Sequence, residues 1–202
     1  MMKKLLLVLN VLCILVMCGW TYAAKRSFKP AYTLDDVYNR NAHVSFDESS
    51  MTHKKTSYSE LYESSDLIVK GVCKKVEGYR LESVLREFQI SKVYKGKCGE
   101  FIDIYEPSSP TAWQSYFVED GYLNMHDGQE YVLFLKKCKY QNKYYINKGA
   151  LGKYTDKKES LFAYKDNKDY SYNDIKGKEA VIIYQDDLKL YNQVVSKISK
   201  WK

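Results

Sequence analysis

His126 and Asp127 are the only histidine and carboxylate adjacent in the chain. Such a pair could supply the base and the orienting acid of a hydrolase, given a nucleophile brought close by the fold. No Gly-x-Ser-x-Gly elbow accompanies them, and Asp127-Gly128 reads as a turn. His43 and His53 lie ten positions apart in a polar stretch and read as solvent-exposed side chains rather than metal ligands. The acid pairs Glu119-Asp120 and Asp186-Asp187 are adjacent in sequence, which suits a loop and a helix start better than the opposed carboxylates of a glycosidase. Phosphate-loop, His-Glu-x-x-His and EF-hand spacings do not occur. No catalytic residue, cofactor or metal site is expected, and the chain reads as non-enzymatic.

Elements able to position a site are mostly strands. Leu67, Val69 and Cys73 alternate on one apolar face, with Gly71 between them as a bend or bulge. Glu77-Gly78 reads as a turn into a second strand that ends at Tyr94-Lys95-Gly96-Lys97. Phe101 to Tyr105 forms a third, stopped before Pro107. Ser109-Pro110 carries the N-cap and first-turn signature of a short helix, with Trp113, Tyr116 and Phe117 at helical spacing. A fourth strand, Tyr131 to Leu135, is apolar throughout and so expected to be buried on both faces; Tyr144 to Ile146 makes a fifth, and Leu161 to Tyr164 extends the sheet. Ser57 and Glu60 frame a capping box before the first strand. Leu188, Tyr191, Val195, Ile198 and Trp201 form one apolar stripe on a C-terminal helix opened by Asp186-Asp187.

The N-terminus carries export signals. Lys3 and Lys4 precede an apolar block, Leu5 to Val16, and the small residues Ala23 and Ala24 follow, the three parts of a secretory signal peptide. The block is shorter than the about 20 apolar residues of a spanning helix. Leu15-Val16-Met17-Cys18 resembles a lipoprotein cleavage box, which would lipidate Cys18; a retained N-terminal anchor is the remaining alternative. Cleavage near Ala23 or Ala24 leaves about 178 residues, enough for one domain, and an extracellular or cell-surface location is expected. The formal charge of +7 is spread without a lysine block, which argues against nucleic acid. The expected organisation is a signal peptide over 1–24, a partly disordered leader over 25–57 and a β-domain over 58–165. A loop and C-terminal helix packed on that domain complete it over 166–202.

Five strands with a helix between the third and fourth match the order of an OB-fold, a Greek-key β-barrel. The chain also resembles a group of exported OB-fold proteins of Gram-positive bacteria whose role is not established. The resemblance rests on Asp66 to Gly71, Val93 to Gly96, Gly128 to Leu135 and Gly149 to Tyr154. That group is similar in barrel topology to the inhibitory domain of tissue inhibitors of metalloproteinases, where an N-terminal cysteine with a free amine clamps the target's metal. This chain has no cysteine at its expected mature start. OB topology implies that Cys98 and Cys138 meet at one rim as a disulfide, leaving Cys73 buried and reduced. OB-folds bind across their second and third strands, which singles out Tyr79, Tyr105 and Trp113 as a contact surface in a chain with 20 tyrosines. The expected function is a binding module for a protein or glycan of the cell envelope. A protease-inhibitor-like protein and a hydrolase with a scattered site are the alternatives.

Overall fold

The computed structural model describes residues 10–21, 32–47, 55–80, 83–155, 161–165 and 168–201. Two compact units divide the chain at Ala31. In the first, 10–21 is helical (α1) and solvent-exposed, with Val11, Leu12, Ile14, Leu15, Val16, Met17 and Trp20 presented outward. Among the described residues no helix is long and apolar enough to cross a membrane. The expected cleavage site at Ala23-Ala24, and His53, lie outside the described residues.

The second unit is mainly β. Its centre is a closed ring of five strands: β2 (Leu67–Arg80), β3 (Ser83–Lys95), β4 (Phe101–Glu106), β8 (Tyr144–Ile146) and β7 (Glu130–Lys137), with β7 returning to β2. All neighbours are antiparallel except β4 and β8, which run parallel. Residues Tyr131 to Leu135 are buried on both faces. Tyr131, Leu133 and Leu135 point into the ring with Leu67, Val69, Cys73, Phe88, Ile102 and Ile104. Val132 and Phe134 face a separate cluster with Leu61, Tyr154, Leu190, Tyr191 and Val194.

The remaining elements attach to this ring. Helix α2 (Leu34–Arg40) and strand β1 (His43–Phe46) precede α3 (Tyr58–Ser64); the hairpin β5 (Ser109–Pro110) and β6 (Ser115–Val118) lies between β4 and β7. Further along come β9 (Lys153–Tyr154), β10 (Leu161–Ala163), β11 (Tyr170–Ser171), α4 (Tyr172–Ile175), β12 (Ala180–Ile182) and α5 (Gln185–Ile198). The C-terminal helix packs its apolar side on β7, as its stripe implies, through Leu190, Tyr191 and Val194. Ser57 caps α3 by accepting the Glu60 amide at 3.1 Å.

Several expectations are corrected. The segment after Ser109-Pro110 is a hairpin, not a helix: Pro110 pairs with Tyr116 across a turn in which Gln114 takes φ 61°. Pro110 occupies an edge strand, where the missing N–H costs no ladder bond. The leader is structured over 32–47. Thr33 caps α2 in a capping box with Asp36, and β1 pairs with β6 in parallel and β11 antiparallel. Tyr32, Leu34, Val37, Ala42 and Val44 are buried there, so five apolar positions among polar ones anchor the stretch. Glu77-Gly78 is no turn but a register shift within β2, which continues to Arg80. Leu161 to Ala163 leaves the ring and pairs with β12 instead. Finally, Cys98 and Cys138 are both free thiols rather than a disulfide. Each follows a strand that flanks the start of β2. Cys98 packs against the ring interior while Cys138 sits in the β7–β8 hairpin, its amide bonded to the Lys143 carbonyl.

Candidate functional site

The parallel pairing of β4 with β8 decides what the ring shows to solvent. Ile104 is opposite Tyr144 and Tyr105 is opposite Tyr145. Ile104 and Tyr144 are buried in the interior, so alternation along each strand turns Tyr105 and Tyr145 outward, side by side. Tyr145 is 41% exposed. Tyr105 Oη donates to Gln141 Oε1 at 3.0 Å, and the Lys143 ammonium lies 5.8 Å from the Tyr105 ring centre while pairing with Asp103 at 2.6 Å. These contacts hold the Tyr105 ring in place at the sheet surface.

A cleft of about 370 Å3 opens beside the two tyrosines, lined by Ser83, Pro107, Glu119, Asp120 and Lys148. Its floor is two turns locked together. Asp120 and Lys148 both take left-handed backbone, φ 47° and φ 62°. Gly149, at φ 51°, sits so close that a Cβ there would collide with Asp120. The Ala150 amide donates to the Asp120 carbonyl at 3.1 Å. The Glu119 amide is fixed by Ser108 Oγ at 3.0 Å, which itself donates to the Tyr122 carbonyl. Flat aromatic rings beside carboxylates and an ammonium suit a ligand with apolar faces and hydroxyl edges.

A second cleft of about 440 Å3 lies on the other side of β3, lined by Thr33, Asp35, Tyr38, Tyr79, Arg86, His126 and Asp127. Its polar groups are largely engaged with one another. Arg86, 3% exposed, donates to Glu106 at 2.8 Å, to the Met125 carbonyl at 2.7 Å, to the Lys74 carbonyl, and to Asp127. Glu106, fully buried, also accepts Tyr122 Oη at 2.9 Å and the Met125 amide at 2.6 Å. Burial opposes the Arg86 charge, but Glu106, Cys73 and Asp127 together outweigh it and raise the pKa. Burial pushes the neighbouring Cys73 thiol up to about 12, so it is no thiolate nucleophile at neutral pH. Deeper still, Lys153 and Glu179 pair at 3.2 Å, with Lys153 between the rings of Tyr122 and Tyr131. Burial lowers the Lys153 pKa against the opposing pull of Glu179. Among the described residues no cluster of three His, Cys, Asp or Glu side chains is placed to hold a metal.

The three residues singled out from sequence do not share a surface. Tyr79 is opposite Val84, itself opposite Glu106, whereas Tyr105 is opposite Leu85. Successive residues point to opposite faces, so Tyr79 and Tyr105 lie on opposite sides of the sheet. Tyr79 Oη accepts the Leu34 amide at 3.0 Å and lines the second cleft. Trp113, 91% exposed, stands at the tip of the β5–β6 hairpin. Sequence reasoning missed Tyr145, although alternation in Tyr144-Tyr145-Ile146 carries that signal. It also missed Arg86, a charge at the inward parity of Val84 and Phe88, and the pairing of Lys153 with Glu179, whose separation in sequence leaves no local trace. No protein-family model matches the chain, and no curated protein matches it.

Proposed function

We propose that this chain is an exported, non-enzymatic binding module of the cell envelope whose Tyr105–Tyr145 face takes a glycan. The observation that carries the reading is the outward pairing of these tyrosines beside the Glu119–Asp120 cleft. Sugar rings present C–H faces that pack on tyrosine, and vicinal hydroxyls donate well to carboxylates. Export is supported by Lys3, Lys4 and the apolar block that follows. An OB-type barrel is supported by the ring order, in which the third and fifth ring strands along the chain, β4 and β8, pair in parallel. Titration calorimetry with soluble envelope glycan fragments tests the reading. Tyr105→Ala and Tyr145→Ala should each weaken binding about tenfold; unchanged affinity in both, or no glycan bound by the parent chain, overturns it.

The second cleft supports a hydrolase reading, because it gathers His126 with Asp35 and Asp127. Hydrolysis of an envelope glycan or peptide that is lost in His126→Ala, with Tyr105→Ala still active, would put that reading first.

A further inference from the structure

The end of the ring where β3 and β7 finish collects lysines and exposed rings from segments far apart in sequence. Lys95 is opposite Ile68 and Leu135 is opposite Leu67, so the chain leaving β3 and the chain leaving β7 flank the start of β2. Asp66 ties them together. Its amide donates to the Leu135 carbonyl and its carboxylate accepts the Lys137 amide, both at 2.9 Å. Gly96, at φ 84°, turns so tightly against the Asp66 carbonyl that a Cβ would not fit. Lys97 thus stands on one side of Asp66, and Lys136, Lys137 and Lys139 on the other.

The acids nearby do not balance this charge. Asp103 is paired with Lys143, while Asp66 and Glu100 accept only neutral amides, keep their charge and offset at most two of the four lysines. Lys95 spends its ammonium on the Tyr62 and Glu63 carbonyls at the end of α3. Lys97, Lys137 and Lys139 are solvent-exposed and Lys136 partly so. The same rim holds two outward rings: Tyr140, 86% exposed at the tip of the β7–β8 hairpin, and Phe101, 49% exposed at the start of β4. The Lys139 ammonium sits 5.1 Å from the Tyr140 ring centre. Lysines around exposed aromatics are the composition of a surface that sits on anionic headgroups with its rings at the interface.

We propose that this rim docks the folded unit on an anionic phospholipid surface, Tyr140 and Phe101 entering the headgroup layer and Lys97, Lys136, Lys137 and Lys139 facing lipid phosphates. Lys136 is opposite Tyr145, so this rim borders the Tyr105–Tyr145 face; the lysine and Tyr140 substitutions leave both of those tyrosines in place, so either assignment can fail alone.

The test is co-sedimentation of the full chain with vesicles of phosphatidylcholine, with and without phosphatidylglycerol. The zwitterionic vesicles set the baseline for the apolar N-terminus. Partitioning should rise with phosphatidylglycerol and fall with salt. Lys137→Gln with Lys139→Gln should weaken the anionic component about 30-fold, about five- to sixfold per lysine. Tyr140→Ala, which leaves charge unchanged, should weaken it further. Lys168→Gln with Lys176→Gln removes equal charge near α4 and should leave partitioning unchanged. Equal loss in both lysine pairs overturns the proposal, as overall charge would then suffice. Indifference to phosphatidylglycerol overturns it too, and so does binding to soluble polyphosphate without binding to vesicles. Matching thermal midpoints for all variants confirm that each remains folded.

Discussion

At the scale of single residues, the interior carries two buried ion pairs, Arg86 with Glu106 and Lys153 with Glu179. Arg86 and Glu106 are both buried, and removing Arg86 leaves a buried carboxylate that keeps the Tyr122 hydroxyl and Met125 amide but loses its paired cation. Arg86→Met should therefore cost about 3–5 kcal/mol, measured by urea denaturation. Glu179 sets a pH limit. Burial pushes its pKa up, but Lys153 and the Gln129 amide outweigh that and hold it below its ordinary 4.5. A folded value below the unfolded one means that the carboxylate's stabilisation is full above pH 4.5 and drains away as pH falls below it. Glu179→Gln should flatten the decline in melting temperature between pH 5 and 3; an unchanged slope would assign acid sensitivity elsewhere. The thiols make a third prediction. Iodoacetamide should label Cys98 and Cys138 in the native protein and Cys73 only after unfolding, since Cys73 is fully enclosed. A disulfide-linked peptide containing Cys98 and Cys138 would contradict the free thiols.

At the scale of elements, what could be read ahead of the structure follows from local physics. The shared parity of Leu67, Val69 and Cys73, which fill the ring interior, and the apolar run at Tyr131 to Leu135 announced their strands. The C-terminal helix was legible from its stripe and its acidic first turn. The hairpin at Ser109 to Val118 was not, because an N-cap followed by proline is also compatible with an edge strand, and only pairing with β1 settles the choice. Strand β1 was obscured because only Val44 of its four residues is buried. The candidate site was half legible: Tyr105 was named, but its partner Tyr145 depends on a parallel pairing between distant segments that no local pattern encodes. Two substitutions probe the elements. Leu190→Ala empties a site in the cluster between α5 and β7 and should cost about 2–5 kcal/mol. Gly71→Val places a side chain against the Gln89 carbonyl and the Phe88 ring, which should pry β2 from β3 and lower the unfolding free energy, read by urea denaturation, by at least as much as a core overpacking, about 1–3 kcal/mol.

At the scale of the whole folded unit, the question is whether the ring and the outer sheet of β11, β1, β6 and β5 are one cooperative body. The two share residues rather than merely touching. Val84 of the ring strand β3 is buried in the same cluster as Leu34, Val37, Val44, Tyr116 and Tyr170, and Val76 and Tyr79 of β2 pack against it. Tyr122, in the connection between β6 and β7, enters the ring interior and bonds Glu106, while Leu123 beside it belongs to the outer cluster. Opening the outer sheet would expose one side of β2 and β3 and loosen the connection that seals the ring. Unfolding should therefore be a single transition. Val44→Ala in the outer sheet, worth about 1–3 kcal/mol by lost burial and cavity, should shift the same midpoint as Leu133→Ala inside the ring. Near-ultraviolet circular dichroism reads the buried tyrosines and far-ultraviolet reads the strands; the two curves should coincide in both variants. A Val44→Ala chain that melts in two steps, with the ring transition unmoved, would show that residues 32–47 are an appendage rather than part of the core.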